Sequence, residues 1–190
     1  MSEASSRRSE RRERQHAANR GSILAAARRV AERRGTADLS LRAAAAEAGY
    51  APATVYAYFR NRAELVLALA AEELGALART MREAPNRAAA RNAAFALMRG
   101  SASLAAAVST LESGDVPPDA ERHFNGKLIA ALTALAASPT PARDEQMDVV
   151  VMAAALTGLS LLARTGRLKA LGLDEQDLLG CLNKRFAVTR

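Results

Sequence analysis

The sequence predicts an all-α chain, and three observations carry that reading. Apolar residues recur three and four apart, at helical spacing, along most of the 190 residues. Ser, Asn, Asp or Pro stands where such a run begins, and Gly or a Pro-rich break stands where it ends. No convincing strand and no internal repeat interrupts this pattern. With 49% apolar residues there is material for one compact unit or two small ones.

In chain order, residues 1–14 are polar, arginine-dense and without periodicity, and read as a disordered basic arm. From about Gln15 to Arg34, Ile23, Leu24, Ala27 and Val30 share one helical face with arginines opposite, and Gly35 ends the helix. Ser40 suits the N-cap of a short helix from Leu41 to Ala48, which Gly49 breaks. Pro52, at the tolerated first position, opens a helix to about Tyr58. Asn61 and Glu64 have capping-box spacing and open a helix to about Glu83. The next helix spans roughly Arg87 to Val108, with Gly100 as a kink point. After the loop "ESGDVPPD" a helix runs from about Asp119 to Ala137. "SPTP" precedes another, from about Ala142 to Thr165. The last spans about Asp174 to Ala187, with Asp174 and Asp177 in its first turn.

One stretch demands a chemical explanation. "GYAPATVYAYF", residues 49–59, holds all three tyrosines of a chain with only seven aromatic residues. A buried phenol must find a hydrogen-bond partner, so an ordinary core would favour Phe or Leu. On a helical wheel Val55 and Phe59 point one way, with Pro52 close to them. Ala53, Thr54 and Ala57 point outward, and Tyr56 and Tyr58 flank them. Such a helix suits a groove, with phenols reaching phosphates and Thr54 and the alanine methyls meeting thymine methyls. Taken alone, the tyrosines could equally seal the edge of a small core.

Charge leans the same way. The net charge is +7, and residues 1–65 hold thirteen arginines against seven acids, while the remainder is nearly neutral. A cationic third is the footprint of nucleic-acid binding, although a solubilising or membrane-attracted surface has the same composition. Two short helices joined through a Gly turn form a helix-turn-helix whose second helix reads DNA.

At this point "LSLRAAAAEAGYAPATVYAYFRNRAEL", residues 39–65, resembles the DNA-binding domain of the tetracycline-repressor (TetR) family. The likeness extends upstream through "RGSILAAARRVAERRG" and covers residues 20–69. It implies an N-terminal three-helix DNA-binding domain with a helix-turn-helix over 15–65. It also implies a helical ligand-binding and dimerisation domain over 66–190. By the same resemblance Ser40 and Arg42 touch phosphate or base edges, and Pro52, Ala53, Thr54, Tyr56 and Tyr58 are recognition-helix contacts. Arg62 stands where the family has a phosphate-binding lysine; the charge is kept, but a planar fork replaces a point charge. Ala51 stands where a capping serine is common, at a cost of about 1 kcal/mol. Ala44 replaces a larger aliphatic, which suggests a lightly packed domain.

Residues 70–190 carry no catalytic constellation and no phosphate loop, so an enzyme is not expected. His123 reads as a surface or core-edge residue. Cys181 is alone and two histidines are too few for a zinc site, so neither metal nor cofactor is called for. No apolar run follows the N-terminal arginines and no eighteen apolar residues run uninterrupted, which predicts neither a leader nor a spanning helix. A cytoplasmic protein is expected.

Phe95, Met98, Leu104, Phe124, Leu128, Met147 and Met152 are candidates to line a pocket for a small, mostly hydrophobic ligand, although ordinary core explains each of them as well. "VVVMAAALTGLSLLA" is apolar nearly all round, so more than one face is buried. With the family in mind, Val151, Ala154, Gly158, Leu161, Leu178, Leu182 and Phe186 are assigned to a two-fold interface. The expected function is a homodimeric repressor, released from a pseudo-palindromic operator by a small molecule. An activator or constitutive dimeric DNA-binding protein without ligand is the alternative. A helical enzyme or carrier with an incidental basic third is a reading of another class.

Overall fold

Alanine-rich segments with larger apolar side chains three and four apart satisfy their backbone groups internally and bury one stripe. The computed structural model describes residues 3–136 and 138–186, with side chains from residue 7 on. These residues form ten helices and no strand. They fall into two compact units, residues up to 69 with 106–121, and residues 70–105 with those from 122 on.

In the first unit, α1 (Glu3–Arg34) packs on α2 (Leu41–Ala48), which packs on α3 (Pro52–Tyr56). Ile23, Leu24, Ala26, Ala27 and Val30 of α1 are buried, as the wheel predicts. Leu41, Ala44 and Ala45 of α2 and the run Leu65–Leu69 that opens α4 (Arg62–Glu83) are buried in the same unit. Ala44 is wholly buried, so its missing bulk is matched by close helix approach. The expected disordered arm is a correction: α1 continues without a break from Glu3. Aperiodic polarity hid this, because a helix exposed all round has no apolar stripe to betray it.

The second unit takes up α4 from residue 70. Where the sequence expects one helix over 87–108, the structure has two, and the later one passes into the first unit after residue 105. α5 (Arg87–Gly100) and α6 (Ala102–Glu112) meet at an angle of 71°. Ser101 is the cause. Its backbone is extended (φ −81°, ψ 109°), and its Oγ accepts from the Leu104 N–H at 2.9 Å while donating to Glu73 Oε2 at 2.5 Å. A hydroxyl that caps the next helix ends the previous one.

Next come α7 (Pro118–Leu135) and α8 (Arg143–Arg164), the latter packed on α5. Gly166, at φ +71°, turns the chain into a four-residue helix, α9 (Arg167–Ala170), that the periodicity does not reveal. α10 (Glu175–Arg185) opens at Asp174, whose Oδ1 accepts from Gln176 N–H at 2.7 Å. The expected ends at Ala137 and Ala187 lie outside the described residues. Phe95, Phe124, Leu135, Val149, Met152 and Leu156 are buried in this unit.

By length and composition α8 is apolar enough to cross a membrane, with a mean hydropathy of 1.7 over eighteen residues. The uninterrupted-run criterion missed this because Thr157, Gly158 and Ser160 punctuate the helix. Among the described residues no group of three His, Cys, Asp or Glu could hold a metal ion.

Candidate nucleic-acid interface

The site is built on two short helices and the turn between them. Ser40 caps α2, its Oγ accepting from the Ala43 N–H at 3.1 Å. At the other end Gly49 is left-handed (φ +71°), with Tyr50 N–H bonded to Ala45 C=O at 3.0 Å and Gly49 N–H to Ala46 C=O at 3.4 Å. That pairing is the Schellman pattern, which needs a residue free of a Cβ penalty at its left-handed position. The chain then reverses into α3.

Val55 and Phe59 anchor α3, both essentially without solvent exposure. Burial of side chains this size contributes about 1.5–3 kcal/mol each. Pro52, Ala53, Tyr56 and Ala57 face solvent, and Thr54 is half-buried. Two expectations change here. Pro52 turns outward rather than toward the core, and the α-helix ends at Tyr56 rather than Tyr58. At its other end the N-cap Ala51 offers no side-chain bond.

The two flanking tyrosines are unlike. Tyr56 is 50% exposed. Tyr58 is half-buried; its hydroxyl accepts from Asn19 Nδ2 at 3.1 Å, and its ring lies 4.5 Å from that of His16. Asn19 Oδ1 in turn accepts from Tyr50 Oη at 3.4 Å and from Gln15 Nε2 at 2.9 Å. One asparagine of α1 therefore answers the partner question for two of the three tyrosines. Arg20 adds a cation–π contact, 5.1 Å above the Phe59 ring. His16 and Asn19 lie outside the family motif, and only the tyrosines' need for partners could have pointed to them.

Arg62 also departs from its expected part. Its Nε donates to Leu39 C=O at 2.8 Å and its Nη2 to Thr36 C=O at 2.6 Å. The planar fork thus ties down the loop that leads into the α2 cap, a job a lysine point charge does less well. Ser40 and Arg42 are exposed beside that loop.

Ion pairs brace the surroundings. Glu47 of α2 receives Arg29 Nε at 2.8 Å and a shorter bond from Arg33, both of α1. The hydrogen bond from Arg29, then that from Arg33, holds the Glu47 carboxyl below the usual carboxylate range. Beyond α3, Arg60 bonds Glu64 at 3.0 Å and Asp119 at 2.5 Å, which raises the guanidinium pKa and lowers that of Asp119. The capping box is displaced by one residue: Asn61 Oδ1 accepts from Glu64 N–H at 2.9 Å, but Glu64 Oε2 reaches back to Arg60 N–H at 2.8 Å.

Comparison with known proteins bears on this geometry. Residues 23–69 match the family described as bacterial regulatory proteins, tetR family. The chain carries a TetR-family DNA-binding domain. This domain spans the anchored face of α1, the helix-turn-helix and the start of α4. No curated protein matches the sequence. Among solved structures, the chain is similar to the regulatory-protein candidate SCO4313. The TM-score is 0.64 at 21% identity, covering 91% of this chain and 97% of that one. The fatty acid degradation regulator FadR from Bacillus halodurans gives 0.53 at 20% identity, over 87% and 93% of the two chains. A candidate transcriptional regulator from Pseudomonas aeruginosa PAO1 gives 0.56 at 19% identity, over 87% and 86%. These similarities extend the shared all-α fold beyond the DNA-binding domain.

The other predicted residues scatter. Phe95, Phe124 and Met152 are buried, Met98 and Leu104 are half-buried, and Leu128 and Met147 face solvent. A cleft of about 770 Å³ in the second unit is lined by other residues, among them Met81, Arg82, Arg87, Ala90, Ala130 and Thr133. Val151, Ala154, Gly158 and Leu161 form an exposed stripe along α8, while Leu178, Leu182 and Phe186 are half-buried.

Proposed function

We propose that this chain is a homodimeric, cytoplasmic repressor, not an enzyme, that binds a pseudo-palindromic operator and is released by a small, mostly apolar ligand. The observation that carries the reading is α3 itself. A short helix anchored by Val55 and Phe59 presents Pro52, Ala53, Tyr56 and Ala57 outward, small enough to sink into a major groove. Ser40, Arg42 and Tyr58 then position it through phosphates, and Thr54 and Ala53 read thymine methyls. Arg62 contributes by its charge and by holding the loop.

A single five-residue helix reads too few base pairs for operator selectivity, so two copies one helical turn apart are required. The exposed apolar stripe of α8 supports a two-fold pairing, with Gly158 letting backbones approach. A ligand would release the operator only by binding the two dimer geometries with different affinity. The 770 Å³ cleft is of a size for such a ligand. The scatter of the expected lining residues favours the second reading, a dimeric DNA-binding protein without ligand.

A mobility shift on operator DNA recovered by binding-site selection tests the core of the proposal. A compound panel scored for loss of that shift separates the two readings. Selection that recovers no motif would refute both.

A further inference from the structure

The expected arm is a helix, and its charges are sorted. Between residues 7 and 14, five arginines stand against Glu10 and Glu13. At about 100° per residue, Arg7, Arg8, Arg11, Arg12 and Arg14 fill an arc of roughly 160°, and both glutamates lie outside it. Glu10 borders the arginine arc at pairing distance from Arg7 and Arg14, whereas Arg8, Arg11 and Arg12 lie at its middle and far side, where the charge is of one sign. The arginine face also has a fixed direction. Arg8, Arg12 and His16 form one row spaced by four, and the His16 ring rests 4.5 Å from the Tyr58 ring at the end of the reading element. Asn19, on the same side, bonds Tyr58 and Tyr50. The extension therefore starts beside the interface and carries positive charge outward along about 14 Å of helix between residues 7 and 16.

We propose that this arginine face is a second nucleic-acid contact, docking on the phosphate backbone of duplex DNA that flanks the half-site occupied by α3. The inference rests on the DNA-binding reading above. A phosphate backbone is the occupant that matches charge without apolar anchors, since every side chain from residue 7 to residue 18 is exposed or polar. An amphipathic membrane helix would need an apolar face that this segment lacks.

The test uses the full chain and two duplexes built on the selected operator. One duplex is trimmed to the motif, and the other carries about ten further base pairs at each end. Binding is followed by fluorescence anisotropy from 50 to 200 mM salt, for the parent and for the Arg8→Gln, Arg12→Gln double variant. Each phosphate contact contributes about 0.9 to the logarithmic salt slope. The variant should lose close to two units of slope per bound protomer on the long duplex, roughly a tenfold smaller change in affinity over that salt range. On the trimmed duplex the two proteins should coincide. Arg8→Lys with Arg12→Lys keeps the charge and should keep the parent slope.

A parent indifferent to flanking length, or a variant with the parent slope on long DNA, overturns the proposal and leaves α3 as reader. A parent that binds no selected duplex overturns both. Loss of binding to phosphatidylserine vesicles, with DNA binding unchanged in the variant, assigns the face to a membrane and also overturns it. The side chains are exposed, so unchanged thermal unfolding is expected and checks that the variants fold.

Discussion

At the residue scale the tyrosines divide the labour of the site. Tyr56 is exposed and adjoins the outward face, whereas Tyr58 and Tyr50 are tied to Asn19. Tyr56→Phe should weaken binding to every sequence alike, by about 1 kcal/mol or close to fivefold, the net worth of one hydrogen bond. Operator affinity equal to the parent's, measured by anisotropy, would remove Tyr56 from the interface. Arg62 separates charge from geometry. Arg62→Lys retains the positive charge but loses the bonds to Thr36 and Leu39 carbonyls, so it should lower the melting temperature while leaving the salt slope unchanged. Thr54→Ala should shift base preference at one or two positions per half-site, by about 1–3 kcal/mol each. An unaltered motif from binding-site selection would count against that role.

At the scale of elements, the turn and its brace decide whether α3 is presented at all. Gly49→Ala forces a Cβ into a left-handed conformation, at a cost of about 1–2 kcal/mol read as a lower denaturant midpoint. The Glu47 brace has a pH signature. Its folded carboxyl titrates below its ordinary value, so the stabilisation is complete above that value and fades as pH falls through the folded pKa. Glu47→Gln should therefore flatten the acid limb of the stability curve, and an unchanged limb would show that the pairs with Arg29 and Arg33 carry no weight. What the sequence made legible follows the same division. Ser40, Gly49, Pro52 and Asn61 speak through local backbone chemistry, and α2, α3 and the start of α4 were read from them. The break at Ser101 was not, because its hydroxyl needs Glu73 from twenty-eight positions upstream to hold it. Asn19 and the Arg62 fork were invisible for the same reason: their partners lie far along the chain. α9 is too short to carry a period.

For the whole molecule the surface that matters is the exposed apolar stripe of α8. Val151 is 59% and Leu161 60% exposed, on a helix whose opposite side holds buried Met152 and Leu156. Apolar stripes of this kind mark association surfaces. Ala154→Glu should convert a dimer to a monomer and abolish operator binding, while circular dichroism stays unchanged. Light scattering that shows a monomeric parent with tight operator binding would overturn the pairing. Leu182 is a weaker probe than the sequence suggested, since it is half-buried within its own unit and a charge there also disturbs folding.

The bridge at Asn19 has one more consequence, and it concerns the direction of protons. The amide oxygen already takes hydrogens from Gln15 and Tyr50, so the nitrogen must be the end that faces Tyr58. Tyr58 is thereby compelled to receive on its inner side, and its own hydrogen is left to point elsewhere, available to an anionic oxygen. Tyr50 is wired the opposite way, its hydrogen already committed. Asn19→Asp would reverse this polarity: a carboxylate presents only lone pairs, Tyr58 would turn its hydrogen inward, and a phosphate would meet the wrong side of the hydroxyl. A change of one atom, nitrogen to oxygen, 3.1 Å from the tyrosine would then weaken DNA binding without removing a single contact residue.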